Sequence, residues 1–465
     1  MRNKLKMRIA DFGSRFEKYK KPSAVAVLLA ILVLLASAMP VSAAEPLGKR
    51  IVLDNGMVLL LAERHDIPMV TVNMAIKAGN TAVPSDKPGL ASITASLLTQ
   101  GTTKRTASQI SREIDFIGGS LSAGGGDDFA SASLRVLKKD LKTGLDLLSD
   151  VLLHPVFDQK EIDRKVRETL AEIQRQKEEP NIVAAEAFEK AVYGGHAYGR
   201  IGEDIAAYLP KLSRQEVVDF YQACYRPNDT IISIVGDVTE KEIVPLLNEY
   251  FKGWKAGTEP LRTPAQTPVI DKLVVKKIDK IITQANIDMG HIGISRENPD
   301  FYPVVVMNYI LGGGGFSSRL MDNIRDNRGL AYDVHSGFSA LKETGSFEVS
   351  IQTKNESANE VIAETLKELN RIRTERVSEK ELADAKAYLT GSFPLRMDTN
   401  GKMVRLLTAI EFYGLGLDYP ERYSRLINQV TAEEVLRVAR TYLDPERFLL
   451  VVVGNQQEIQ LKKNW

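Results

Sequence analysis

The chain has 465 residues, enough for two or more domains that each bury a core. With 44% hydrophobic and 26% charged residues and no low-complexity tract, its composition is ordinary for a soluble globular protein. The formal charge of +1 gives no case for nucleic-acid binding, and the lone cysteine, Cys224, excludes an internal disulfide and a cysteine metal cluster.

Charge is unevenly placed at the start. Residues 1–21 carry eight basic side chains (Arg2, Lys4, Lys6, Arg8, Arg15, Lys18, Lys20, Lys21) against Asp11 and Glu17. An apolar run of thirteen residues, Ala24–Ala36, follows, then Pro40 and the small residues Val41-Ser42-Ala43. This order predicts a secretory signal peptide over 1–43 and places the mature chain beyond the inner membrane, in the periplasm. The run is short of the roughly 20 residues of a membrane span; an uncleaved signal anchor is the competing reading. Cleavage after Ala43 would leave 53 basic and 58 acidic residues, a formal charge of −5.

Further along, alternation predicts strands such as Met57–Leu61 and Thr71–Ile76, followed by several helices of 3.6-residue period. Cys224 sits among the helix-periodic Val217, Phe220 and Tyr221 and reads as a buried structural thiol. Strands grouped before helices predict an α+β class, a mainly antiparallel sheet covered by helices on one face. A doubly wound parallel sheet would need stricter alternation of strand and helix.

The chain also repeats itself. Ser213-Arg-Gln-Glu216-Val217 and Thr431-Ala-Glu-Glu434-Val435 both read as capping boxes at helix starts. Each runs fourteen residues to a proline, Pro227 or Pro445, and then into an apolar strand that ends at Gly236 or Gly454. The offset is 218 throughout. Phe157–Ile162 and Val377–Leu382 match at an offset of 220. Two homologous domains are therefore expected, at 49–255 and 271–465. Between them 256–270, with AGTEPLRTPAQT at its start, reads as a linker.

The segment Gly89-Leu90-Ala91-Ser92-Ile93-Thr94-Ala95-Ser96-Leu97-Leu98-Thr99-Gln100-Gly101-Thr102 resembles the signature helix of the pitrilysin/insulinase/mitochondrial-processing-peptidase family. Active members read G-L-A-H-x-x-E-H-M-L-x-x-G-T, with two histidines on one helix face for zinc and a glutamate for the attacking water. Here those places hold Ser92, Ala95 and Ser96, while Gly89, Leu90, Leu98, Gly101 and Thr102 keep the frame. Glu172 falls where the resemblance puts the third zinc ligand; alone it cannot hold a metal and reads as a solvent-facing helical glutamate. His65, His154, His196, His291 and His335 are scattered without ligand spacing, so no metal is expected on this chain. Ser92 or Ser96 as a nucleophile has neither a G-x-S-x-G elbow nor an assignable base.

The second half departs the other way. Leu311-Gly-Gly-Gly-Gly-Phe-Ser317-Ser318-Arg319-Leu320 and Ile324-Arg325-Asp-Asn-Arg328-Gly329-Leu330-Ala331-Tyr332 match the family's C-terminal motif, with Arg325 and Tyr332 seven apart. The resemblance implies that these two donate hydrogen bonds to the substrate backbone beside the scissile bond. Taken alone, they could complement a helix end and open a strand. The glycine run lacks the Gly-Lys-Ser/Thr of a phosphate loop and reads as the end of one helix turning into the next, with Ser317 or Ser318 near the new cap. Gly118–Ala123, with Ser120, Leu121 and Ser122, resembles the edge strand on which peptide is laid.

The resemblance implies a zinc-less, substrate-binding subunit of a heterodimeric peptidase. The zinc would lie in a homologous partner subunit, no cofactor on this chain, and peptides would be the substrates. A homodimer is the other pairing, and a scaffold or peptide-binding protein of the same fold is the alternative function.

Overall fold

The computed structural model describes residues 47–258 and 266–462. The signal-peptide expectation at 1–43 and residues 259–265 of the expected linker lie outside the described residues. What flanks that gap, 255–258 and 266–271, carries neither helix nor strand. Among the described residues no helix is long and apolar enough to cross a membrane.

In chain order the strands are β1 (Lys49–Val52), β2 (Val58–Glu63), β3 (Met69–Ile76), β4 (Ser120–Gly125), β5 (Ala130–Leu137) and β6 (Thr230–Gly236). The second half has β7 (Val274–Asp279), β8 (Gln284–Ile292), β9 (Ala331–Ala340), β10 (Gly345–Lys354) and β11 (Leu449–Gly454). They form two sheets, ordered β1-β2-β6-β3-β5-β4 and β7-β11-β8-β10-β9. Without β1 the two orders are the same topology. Each has a single parallel pair at the same place, β2 with β6 and β7 with β11, and every other pairing is antiparallel.

Local hydrogen bonding explains why the repeat was visible. Ser213 N–H donates to Glu216 at 2.9 Å and Glu216 N–H donates back to the Ser213 hydroxyl at 3.3 Å. Thr431 and Glu434 repeat the exchange at 2.8 and 3.1 Å. Asp158 and Ser378 cap the two helices of the second match. Cys224 is buried in the N-terminal core.

Alternation along each strand then divides every sheet into two faces. In the N-terminal half, Val70, Val72, Met74, Leu134, Ile232 and Ile234 meet that half's own helices. Ile287, Met289, Phe347, Val349, Leu450 and Val452 do the same in the C-terminal half. The second face of each sheet is met by one helix of the opposite half. Pro180–Tyr193 places Ala184, Ala187 and Phe188 on Leu449, Val451 and Val453 of β11. Asn400–Phe412 places Met403, Val404 and Leu407 on Leu60, Ala62 and Val235. At about 1.5–3 kcal/mol for each large apolar side chain fully buried, an upper range, this reciprocal exchange binds the halves together.

Candidate functional site

The helix Leu90–Leu97 begins at Gly89, whose φ of +88° lies in the left-handed region. A Cβ there would also meet Ile205 Cγ2 at 2.8 Å, so both backbone and packing favour glycine at this position. Ala95 is fully buried, while Ser92 and Ser96 are half-buried. The Ser96 hydroxyl donates to the Ile93 carbonyl at 2.8 Å, a bond inside its own helix. The edge strand β4 presses against this helix: a Cβ on Gly125 would come within 2.6 Å of Ser92 Cα.

Glu172 lies on Gln159–Gln176, which packs beside Leu90–Leu97. Its carboxylate accepts from Arg175 Nη2 at 2.6 Å, Arg175 Nε at 3.0 Å and Gln176 Nε2 at 3.0 Å. The Arg175 guanidinium holds its pKa below the usual range. Glu172 is thus a solvent-facing glutamate engaged within its own helix. Two hydroxyls, a buried methyl and one carboxylate held by arginine do not fit a zinc ion. Among the described residues no group of three or more His, Cys, Asp or Glu side chains is disposed to hold a metal.

Beside that helix, β4 pairs with β5 alone, through Ser120↔Arg135, Leu121↔Leu134 and Ser122↔Ser133. Among the described residues its outer edge is unpaired. Ser120 and Ser122 are exposed, and Leu121 leans on the N-terminal core.

Arg325 and Tyr332 are brought together by three backbone departures. Arg325 lies in the last turn of a stretch of wide, i→i+5 helical turns, Met321–Asn327. Gly329, at φ +62°, stops that helix; its N–H donates to Arg325 O and the Leu330 N–H donates to Ile324 O, both at 2.9 Å. The two bonds close the helix end in the manner of a Schellman cap, but each spans one residue more, in keeping with the wide turns before them. Tyr332 is then the extra residue of a β-bulge, because Ala331 pairs with Thr353 and Asp333 with Gln352. The bulge turns Tyr332 outward, 74% exposed, at the start of the sheet's open edge strand β9.

Sequence reasoning missed a third member. Phe316, 68% exposed, lies with its ring centroid 4.7 Å from the Arg325 guanidinium carbon, and the Tyr332 centroid is 5.6 Å away. The glycine run puts it there. Gly312 passes so near β9 that a Cβ would lie 2.5 Å from Ser336 Oγ, and Gly315 turns back at φ +56°. The first glycines extend the preceding helix instead of ending it, through Tyr309–Gly313. Ser318 precedes the new helix, but its hydroxyl donates back to Gly315 O at 2.7 Å and caps nothing. An aromatic directly after four glycines was the available signal. A polar cleft of about 630 Å³ on the seam between the halves, lined by Lys77, Asp128, Lys342 and Glu343 among others, contains none of these residues.

Residues 58–203 match the family model described as insulinase, peptidase family M16, and residues 211–389 match the model of the peptidase M16 inactive domain. A Bacillus subtilis protein named as an uncharacterized zinc protease, YmxG, is 27% identical over 77% of this chain and 86% of its own length. A Rickettsia felis protein, also named as an uncharacterized zinc protease, is 26% identical over 83% of this chain and 93% of its own. Among solved structures, the peptidase M16 inactive domain from Pseudomonas fluorescens superposes with a TM-score of 0.81 at 27% identity, over 88% of this chain and 98% of that one.

Proposed function

The chain belongs to the insulinase family, peptidase family M16, and within it we propose that the chain is the zinc-less, substrate-positioning subunit of a paired peptidase acting on peptides. The observation that carries this reading is the exposed Phe316–Arg325–Tyr332 group, assembled by a helix cap and a bulge beside an open edge strand, in a chain whose metal helix has lost its ligands. A bulge that turns a tyrosine outward has no packing role and suits a ligand.

In this reading β4 accepts an extended peptide as an added strand, main chain to main chain. Arg325 supplies a fixed fork of N–H donors and Tyr332 one O–H donor to peptide carbonyl oxygens. Donors held in advance on a carbonyl keep the peptide in register and favour charge developing on that oxygen. The metal and its water belong, in the proposal, to a homologous partner subunit. The proposed compartment is the periplasm, from the basic and apolar order of residues 1–36.

The test mixes the purified chain with a zinc-helix homologue from the same organism and follows cleavage of a quenched fluorescent peptide mixture. Cleavage confined to the mixture and lost with Arg325→Ala supports the reading. Full activity of the mixture with Arg325→Ala overturns it in favour of a scaffold, and cleavage with bound zinc in this chain alone overturns it outright.

A further inference from the structure

The two crossing helices close over unlike chemistry, and the repeat makes the difference measurable position by position. In the N-terminal half Asn73 on β3 lies opposite Ser133 on β5 and Ser233 on β6. Asn73 Nδ2 donates to Thr408 Oγ1 of the crossing helix at 3.1 Å, and Ser133 Oγ donates to Asn73 Oδ1 at 2.9 Å. The Ser233 and Thr408 hydroxyls share a bond of 2.9 Å. Every group in that layer is neutral.

In the C-terminal half the matching place is Asp288 on β8, opposite Ser350 on β10 and Val451 on β11. Glu348 stands two residues before Ser350, as Ser131 stands two before Ser133. Aspartate and glutamate stand at the topological positions where the N-terminal half has neutral asparagine and serine, so the fold itself does not demand acids there. Asp288 is 5% exposed and faces Ser350 across the ladder, while the Ser350 hydroxyl donates to Glu348 Oε1 at 3.5 Å, so the two carboxyls share one covered sheet face. Two carboxyls crowded out of water are favoured when at least one keeps its proton. Glu189, from the crossing helix Pro180–Tyr193, completes the cluster at its solvent-exposed rim.

Among the described residues no lysine or arginine answers these charges. The charged groups acting on the three are one another, Asp127, Glu186 and His335 of β9, with the Tyr193 phenol alongside. Lys190, next on the helix, is turned to Asp204 at 2.5 Å. Lys276 shares the sheet face but lies beyond Val451 and is exposed. We propose that Asp288 and Glu348, with Glu189 at their rim, form a proton-dependent clasp that holds the crossing helix Pro180–Tyr193 on the C-terminal sheet and loosens as the protons leave.

Burial raises Asp288 and Glu348 above the ordinary carboxyl range, and the negative neighbour raises Glu348 further. At Glu189, loss of water and the charges of Asp127, Glu186 and Asp288 push in the same direction, to about 7, tempered by its open rim position. The sign follows. Docking is strongest below the ordinary carboxyl pKa near 4.5 and weakens as pH climbs through the raised values, since the undocked state gives up its protons first.

Hydrogen exchange on the full chain at pH 6 and pH 9 tests this, each segment divided by its intrinsic rate. Residues 184–193 are expected to lose about tenfold or more in protection relative to Asn400–Phe412, tenfold being one unit of pKa difference. Asp288→Asn with Glu348→Gln is expected to abolish the difference. If that pair does not fold, Glu348→Gln alone is expected to shrink the difference. Parallel change of both helices in the unaltered chain, or the full difference persisting in a folded variant, overturns the clasp.

Discussion

The guanidinium carbon of Arg325 lies 5.6 Å from the centroid of the Tyr332 ring, although the two side chains come from a helix end and a strand start. That approach depends on the Gly329 cap and on the bulge that frees Tyr332 from the ladder. Phe316 brings a second aromatic ring to the same guanidinium, its centroid 4.7 Å away.

Arg325→Ala is expected to leave the fold intact and to reduce cleavage by the reconstituted pair about 10²- to 10³-fold, the usual loss when an oxyanion donor is removed. Phe316→Ala is expected to cost only about two- to fivefold, the worth of an exposed cation–π contact. Peptide cleavage rates, with circular dichroism as the folding control, separate the two. Equal losses for both variants would mean that the loop acts as a packing unit.

The metal helix and the Arg–Tyr motif were legible because each is written in consecutive residues, as were the capping boxes, whose partners lie three apart. What covers the second sheet faces was not. Alternation in β8 and β10 announces a polar face carrying Asp288 and Glu348, but such a strand looks the same whether that face meets water or a helix. Pro180–Tyr193 reads as an ordinary amphipathic helix, and nothing in its sequence says that Phe188 packs on Val451 instead of on its own half. Phe316 escaped notice for a similar reason: the glycines that aim it have no side-chain pattern to read.

Leu407→Ala tests the exchange of helices. Leu407 is fully buried against Leu60, Ala62 and Val235, so the cavity is expected to cost about 2–5 kcal/mol in urea unfolding. An exposed neighbour, Arg405→Ala, is expected to cost less than about 0.5 kcal/mol. A Leu407→Ala loss under about 1 kcal/mol would show that the helix is not seated on the N-terminal sheet.

Arg319, seven residues beyond Gly312, anchors the glycine motif to Glu379–Ser392 through a two-pronged bond to Glu381, 2.7 and 3.1 Å. Burial opposes ionisation of Glu381, but Arg319 and the Ser378 N–H and hydroxyl outweigh it and hold the carboxyl near about 2. Because this value is depressed, its stabilisation is present above the ordinary carboxyl pKa and is lost as pH falls from about 4.5 toward 2. Glu381→Gln is expected to lower stability at pH 7 by on the order of 2 kcal/mol, less than the 3–5 of a fully buried pair because Glu381 is 32% exposed. Thermal melts from pH 3 to 7 check it; an undiminished acid slope in the variant would assign that slope to other carboxylates.

The proposed lack of zinc on this chain is expected to trace to side chains and not to the arrangement of helices, and this too can be tested. Ser92 and Ser96 are one helical turn apart and half-buried, the spacing at which two histidines share a metal. Glu172 stands on the neighbouring helix, held by an exposed pair with Arg175 and a bond from Gln176. Ser92→His with Ser96→His is therefore expected to give zinc uptake in competition with a fluorescent chelator. Adding Arg175→Ala should tighten it by no more than about fivefold, since exposed ion pairs are worth about 0.2–1 kcal/mol. No uptake in either variant would mean that Gly125, pressed against Ser92, leaves no room for an imidazole. The helix would then have diverged in its packing as well as in its ligands.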